Sequence, residues 1–459
     1  MKPSAALADL WQLAELPDEA LAFAELPGTD PVYPSSFRVA TAAQSTIAAA
    51  ALAACELAHL RGTPRQRVTV PAEHAAAECL GWFSIDGREP QLWDAFSGLY
   101  RARDGWVRVH ANFRHHREGA LRLLGLDPET ADRQAAEQAM AQWDALAFEQ
   151  AAAEAGLVAT ALRSFAQWDA SEQGRAIAAQ PLFTITRIGD AAPRALPPLG
   201  LAQRPLEGVR VLDLTRILAG PVGGRALAAY GADVMLVNAP HLPNIAAIAD
   251  TSRGKRSVLL DLRAAQDREA MDRLLDDAHV FVQGYRPGAL ATLDYGPQQL
   301  ASKRPGIVCV SLSAYGTQGP WQGRRGFDSL VQTAMGFNLA EAEAFGDAQK
   351  PRPLPMQILD EATGYLIAFG AAAALHRQLR EGGSWHVQVS LAQTGHWLRQ
   401  LGRLPDGFAV KPPSLQPYLE TESSGFGELC ALRHSAQLSR TPAAWARPSE
   451  PPGKSPARW

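Results

Sequence analysis

Asp360 stands in Leu359-Asp360-Glu361-Ala362-Thr363-Gly364, directly before Tyr365–Leu379, a segment whose composition predicts a helix. An aspartate there has two uses. It can cap the helix, accepting backbone N–H bonds where the peptide dipoles favour negative charge. The same setting suits a carboxylate nucleophile, because the helix start keeps it ionised and offers N–H groups to a developing oxyanion. Local sequence leaves both readings open. A second group, Arg216-Ile217-Leu218-Ala219, follows the apolar run Val209–Leu214 and precedes a predicted helix at Val222–Ala229. Such a turn is an ordinary connection or, at the C-terminal end of a parallel strand, a ligand loop. The run from Leu218 to Gly224 lacks G-x-G-x-x-G spacing, so no dinucleotide fingerprint is read. Lys255 and Arg256 form either a solvated pair or an anion clamp. Gly284, Tyr285 and Arg286 close a further apolar run, Val280–Gln283.

The elements that must hold these residues follow from the apolar pattern. Apolar runs at Val209–Leu214, Asp233–Val237, Ser257–Leu262, Val280–Gln283 and Ile307–Leu312 alternate with helical segments. Continuous apolar strands between helices predict a parallel sheet covered on both faces: an α/β, Rossmann-like, doubly wound domain. It is placed at 206–400. Upstream, Asp190–Pro205 concentrates proline without any period and reads as a linker over 190–205. Before it, Tyr100, Trp106, Val107 and Val109 around an Asp104-Gly105 turn predict a hairpin, followed by helices, in a smaller α+β domain at 86–189. Thr41–Val70 aligned with Asp360–Val389 gives about eight identities, which suggests that 1–85 is a degenerate partial copy of the later helix and strand. Thr41 then sits where Asp360 sits. The segment 401–459 ends in a proline-rich tail from about Pro448, expected to be poorly ordered.

Across 459 residues only 20% are charged and the net charge is −3, so neither nucleic acid nor an anionic membrane is expected as a partner. Cys55, Cys79, Cys309 and Cys430 form no CxxC pair, which fits free thiols in a reducing compartment and no metal site. No signal peptide or membrane span is read, and the expected location is the cytoplasm.

The ordered motifs carry a resemblance. Gly208–Arg216, Ala219-Gly220-Pro221, Tyr230–Val234, Gly254–Val258, Gly284–Leu290, Ser313–Gly316, Phe327-Asp328 and Asp360–Gly364 together are similar to family III CoA-transferases (CaiB/BaiF type). The resemblance implies that Asp360, at the D-x-x-[TS]-G position, is the nucleophile. It implies that Arg216, Ile217, Leu218, Ala219, Lys255, Arg256, Gly284, Tyr285 and Arg286 line the CoA site, with Tyr285 stacking on adenine. Asp328 and Tyr315 are implied near the substrate. The partners would be an acyl-CoA and a small carboxylic acid, with coenzyme A as co-substrate and no bound cofactor or metal, in a homodimer. In related acyl-CoA racemases a histidine precedes the acidic residue at Asp328. Here it is Phe327, which moves no protons and favours transfer over racemisation. A non-catalytic CoA-binding protein is the remaining alternative. The order departs from the family's usual plan, since the small domain precedes the Rossmann half, as in a permuted or truncated tandem.

Overall fold

The computed structural model describes residues 1–459. Its centre is a seven-stranded sheet: β1 (Phe183–Gly189), β2 (Arg210–Leu214), β3 (Asp233–Asn238), β4 (Lys255–Leu259), β5 (Val280–Gln283), β6 (Val308–Ser313) and β7 (Ser384–Ser390). The spatial order is β4-β3-β2-β5-β6-β7-β1. All neighbours are parallel except β1, which runs antiparallel to β7 at the edge. The six parallel strands thus follow the 3-2-1-4-5-6 order of a doubly wound Rossmann-type sheet, whose direction of winding reverses between β2 and β5. Ligand crevices in such sheets lie outside the carboxyl ends of the strands at that reversal.

β1 corrects the domain boundary read from sequence. It was assigned to the small domain, yet it completes the large sheet. Only Phe183 is buried and the rest of the strand is half-buried or exposed, as suits an edge position, so it lacks the continuous apolar run that marks β2 to β6.

Two long helices pack against each other beneath the sheet: α1 (Val39–Leu60) and α4 (Ile358–Glu381). Both are long and apolar enough to span a bilayer, but they are buried in the protein core. Between them in sequence lie α2 (Ala219–Ala229) and α3 (Asp328–Met335), and after them α5 (Leu391–Gln400). One apolar core runs from Ala6 to Leu438 and unites α1, α2 and α4. Residues 1–85 therefore share the large core. α4 begins at Ile358, well before the start read from sequence, and places Asp360 in its first turn.

The predicted hairpin forms as Gly98–Arg101 and Trp106–Val109, joined by Ala159–Ala161. It has a small core of its own with the helices at Arg114–Leu123, Arg133–Met140 and Ala145–Glu154. Residues 419–432 form a hairpin that pairs with Phe83–Ile85. The proline-rich tail is laid along the sheet edge, contrary to the expectation of poor order. Ser455 N–H donates to Ser257 O, and Trp459 Nε1 donates to Leu274 O. Proline has no N–H to pair, so such a segment contributes few ladder bonds and relies on its tryptophans and serines.

Candidate active site

Asp360 is the third residue of α4 and is 8% exposed. Behind it lies Asp328, the first residue of α3, fully enclosed at 0%. The Asp360 N–H donates to Asp328 Oδ2 at 3.0 Å, the Leu359 N–H points to the same carboxylate, and Gln332 Nε2 donates to Oδ1. No protein donor engages the Asp360 carboxyl oxygens. The helix start thus does not serve Asp360 in the way expected from sequence, because Asp328 takes its free N–H groups.

The residues after Asp360 explain their own types. A Cβ on Gly364 would come within 2.7 Å of Ala219 O, and one on Gly223 within 2.8 Å of Gly364 O. Two glycines therefore let α2 and α4 cross closely, which brings the turn after β2 against the start of α4. Thr363 Oγ1 bonds Thr394 Oγ1 at 2.7 Å and ties α4 to α5.

The carboxyl side of Asp360 opens on a cavity of about 360 Å³ at the ends of β2, β5 and β6. Arg216, Ile217, Leu218 and Ala219 line it from the turn after β2, and Gly284, Tyr285 and Arg286 from the turn after β5. These seven sequence-predicted residues and Asp360 meet in one place, at the sheet reversal. Ile217 adopts φ +80°, a conformation costly for a β-branched side chain and most often found at ligand sites.

Four predicted residues fall outside the cavity. Lys255 is fully buried, its Nζ bonded to Asp213 Oδ2 at 2.8 Å and to Pro221 O at 2.7 Å. Arg256 pairs with Asp233 at 3.0 Å. Both residues open β4 instead of closing a strand, so their backbone lies at the N-terminal end of the parallel strands, opposite the ligand crevice. Sequence shows that a basic pair adjoins a strand but not which end faces the site. Lys255 is a buried ion-pair partner whose loss would strand Asp213, a change that costs ~3–5 kcal/mol in comparable sites. Asp328 is sealed behind Asp360 and does not line this cavity. Tyr315 is buried, with its ring edge-on to Trp321 at 5.0 Å, and does not line this cavity.

Sequence reasoning missed the opposite wall. Phe113, His115 and His116 enter from the small domain at the start of the Arg114–Leu123 helix, and Arg324, Arg325 and Phe327 from the loop before α3. The run Phe113-Arg114-His115-His116 after a hairpin was the available signal. Phe327 stacks on His110 with ring centroids 3.9 Å apart. Arg324 is tied to Glu149 at 3.3 Å, whereas Arg216, Arg286 and Arg325 have no carboxylate partner. Arg216 Nε is buried without an acceptor.

Residues 206–403 match the sequence profile of CoA-transferase family III. An acyl-CoA transferase of Gibberella moniliformis is 31% identical over 313 residues, 64% of this chain and 55% of that one. A succinate–glutarate CoA-transferase of Agrobacterium fabrum is 29% identical over 264 residues, 51% of this chain and 65% of that one. The crystal structure of a CaiB/BaiF family protein from Brucella suis is 27% identical, covering 49% of this chain and 65% of that one. The TM-score between the two is 0.39. The chain spans about half the length of the curated relatives it matches. The family stretch contains every predicted site residue, while Phe113, His115 and His116 precede it.

Within that stretch the acids shape their own titration. Burial, then Asp328 and Glu361, hold the Asp360 carboxyl well above the usual carboxylate range. Burial likewise raises Asp328, against the pull of the N–H groups, Gln332 and Arg108. Burial pushes Glu361 up to about 8, with Arg225 pulling the other way. On the far wall, burial and then His115 drive His116 down to about 3, so it is neutral in the free cavity.

Proposed function

We propose that the chain transfers coenzyme A between carboxylic acids, with Asp360 as the nucleophile. The observation that carries this reading is one buried carboxyl, free of protein donors, in a cavity shared with three arginines that lack carboxylate partners. The arginines suit the phosphates of CoA, and their positive field opposes the burial that holds a proton on Asp360.

Once ionised, an Asp360 oxygen attacks the thioester carbonyl of the donor. The C–S bond breaks, leaving CoA thiolate and a mixed anhydride of donor acid and Asp360. The thiolate then attacks the aspartyl carbonyl, the C–O bond breaks, and the donor acid leaves as its carboxylate. An acceptor carboxylate runs both steps in reverse and departs as acyl-CoA, restoring Asp360. Each step exchanges one acyl bond for another and needs no oxidant or metal. Carboxylates are weak nucleophiles, so positioning and charge stabilisation must supply most of the acceleration.

The test is trapping. Succinyl-CoA followed by hydroxylamine and peptide mass analysis should place the modification on Asp360, and glutarate should remove it. Absence of label across a panel of acyl-CoA donors would sink the reading. A second reading draws on His115 and His116, which stand in the same cavity as Asp360. They offer imidazoles that Phe327 does not, so racemisation is tested alongside by deuterium uptake at the α-carbon of a branched acyl-CoA.

A further inference from the structure

α1 and α4 begin alike. Their capping residues, Arg38 (φ −82°, ψ 59°) and Gln357 (φ −79°, ψ 57°), share an uncommon backbone conformation. In each helix an aspartate from an earlier segment, half-buried in one case and fully buried in the other, receives the N–H groups of the second and third residues. For α1 it is Asp30, bonded to Ala40 N and Thr41 N, each at 2.9 Å. For α4 it is Asp328, bonded to Asp360 N and facing Leu359 N. The halves differ at the third residue. Thr41 donates its hydroxyl to Asp30 Oδ2 at 2.5 Å and completes the cap. Asp360 has no proton to donate when ionised, so its carboxylate and that of Asp328 oppose each other.

We propose that Asp328 is a positioning residue for Asp360: it occupies the free N–H groups at the start of α4 and leaves the Asp360 carboxyl turned to the cavity without a protein donor. The inference rests on the reading of Asp360 as the reacting group. A carboxylate with 2–3 backbone N–H bonds is stabilised and acidic, hence a poorer nucleophile. By taking those bonds, Asp328 keeps Asp360 basic, and the two acids share charge as a coupled pair. Other charges face the pair: Arg108 from the Trp106–Val109 strand acts on Asp328, and Glu361 on α4 acts on Asp360. Behind Glu361 stand Arg225 on α2, Asp250 and Glu78.

The experiment follows the carboxyls directly, by NMR of the full-length protein labelled with γ-¹³C aspartate, with Asp360→Asn assigning the resonance. In the unsubstituted protein, the Asp328 and Asp360 signals should each register the other's titration step. In Asp328→Asn, which keeps an acceptor for the Asp360 N–H, the Asp360 midpoint should fall by about one pH unit or more. The acid limb of kcat/KM for succinyl-CoA should move with it. Asp30→Asn makes the same change in the first half and should lower Tm while leaving the Asp360 midpoint in place. Independent single-step curves in the unsubstituted protein, or an unmoved midpoint in Asp328→Asn, would overturn the proposal. If Asp328→Asn does not fold, the coupled curves decide alone. None of the titrations needs an acyl-CoA, so the two failures are separable. An Asp360 that titrates as expected but is never labelled sinks the transferase reading while the pairing stands. A labelled Asp360 with independent titration sinks only the pairing.

Discussion

The starts of α1 and α4 are two versions of one local design, and they differ at three positions that matter. Thr41, Ala42 and Ser45 in α1 correspond to Asp360, Glu361 and Gly364 in α4. In the first version the hydroxyls that replace the acid and the glycine both find partners. Thr41 completes the Asp30 cap, and Ser45 Oγ returns to Thr41 O at 2.6 Å. In the second, carboxyls crowd together and Glu361 Oε2 is left without a donor. The contrast separates a helix start built for stability from one that holds poorly compensated charge beside a cavity.

The largest effect should come from exchanging function at the third residue. Asp360→Asn should lower turnover of succinyl-CoA and glutarate on the order of 10³-fold or more, as for loss of other nucleophiles. Thr41→Val should leave turnover intact and cost ~1 kcal/mol in urea unfolding, the loss of a hydrogen bond. Equal losses of turnover would break the comparison. Next comes the helix crossing. Gly364→Ser imports the residue of the first half into the 2.7 Å approach to Ala219 O and should cost ~1–3 kcal/mol. The reverse change, Ser45→Gly, should cost under ~1 kcal/mol through helix propensity alone.

The smallest effect is a pH dependence. The Glu361 carboxyl is raised in the folded state to about 8 from an ordinary value of 4.5. Its contribution to stability is therefore fully present below about 4.5 and lost as pH rises toward 8. Glu361→Gln should flatten the fall of Tm between pH 5 and 8 and raise Tm at pH 8 by a few degrees. An unchanged slope would show that this acid is better compensated than its surroundings imply.

The sheet was legible because β2 to β6 are continuous apolar runs, the mark of strands covered on both faces. β1 was not, since an edge strand shows no such run. Asp360, the turn after β2 and the turn after β5 could be named because strand-end loops converge at the reversal of a doubly wound sheet. Lys255 and Arg256 misled because a basic pair beside a strand reads the same at either end. Phe113, His115, His116, Arg324 and Arg325 reach the cavity from two separate segments, and nothing local ties them to Asp360. The start of α4 was misplaced by Gly364, which resembles a helix breaker in sequence and serves as a crossing point in space.

The pairing of α1 with α4 also has a cost in time. Thr41 and Asp360 lie 319 residues apart (360 − 41). At ~5–20 residues per second of synthesis, α1 waits roughly 15–60 s for its partner. Through that interval a helix destined for the core has no native neighbour on that face, so one of the chain's two long apolar helices is also its earliest hazard of misassembly.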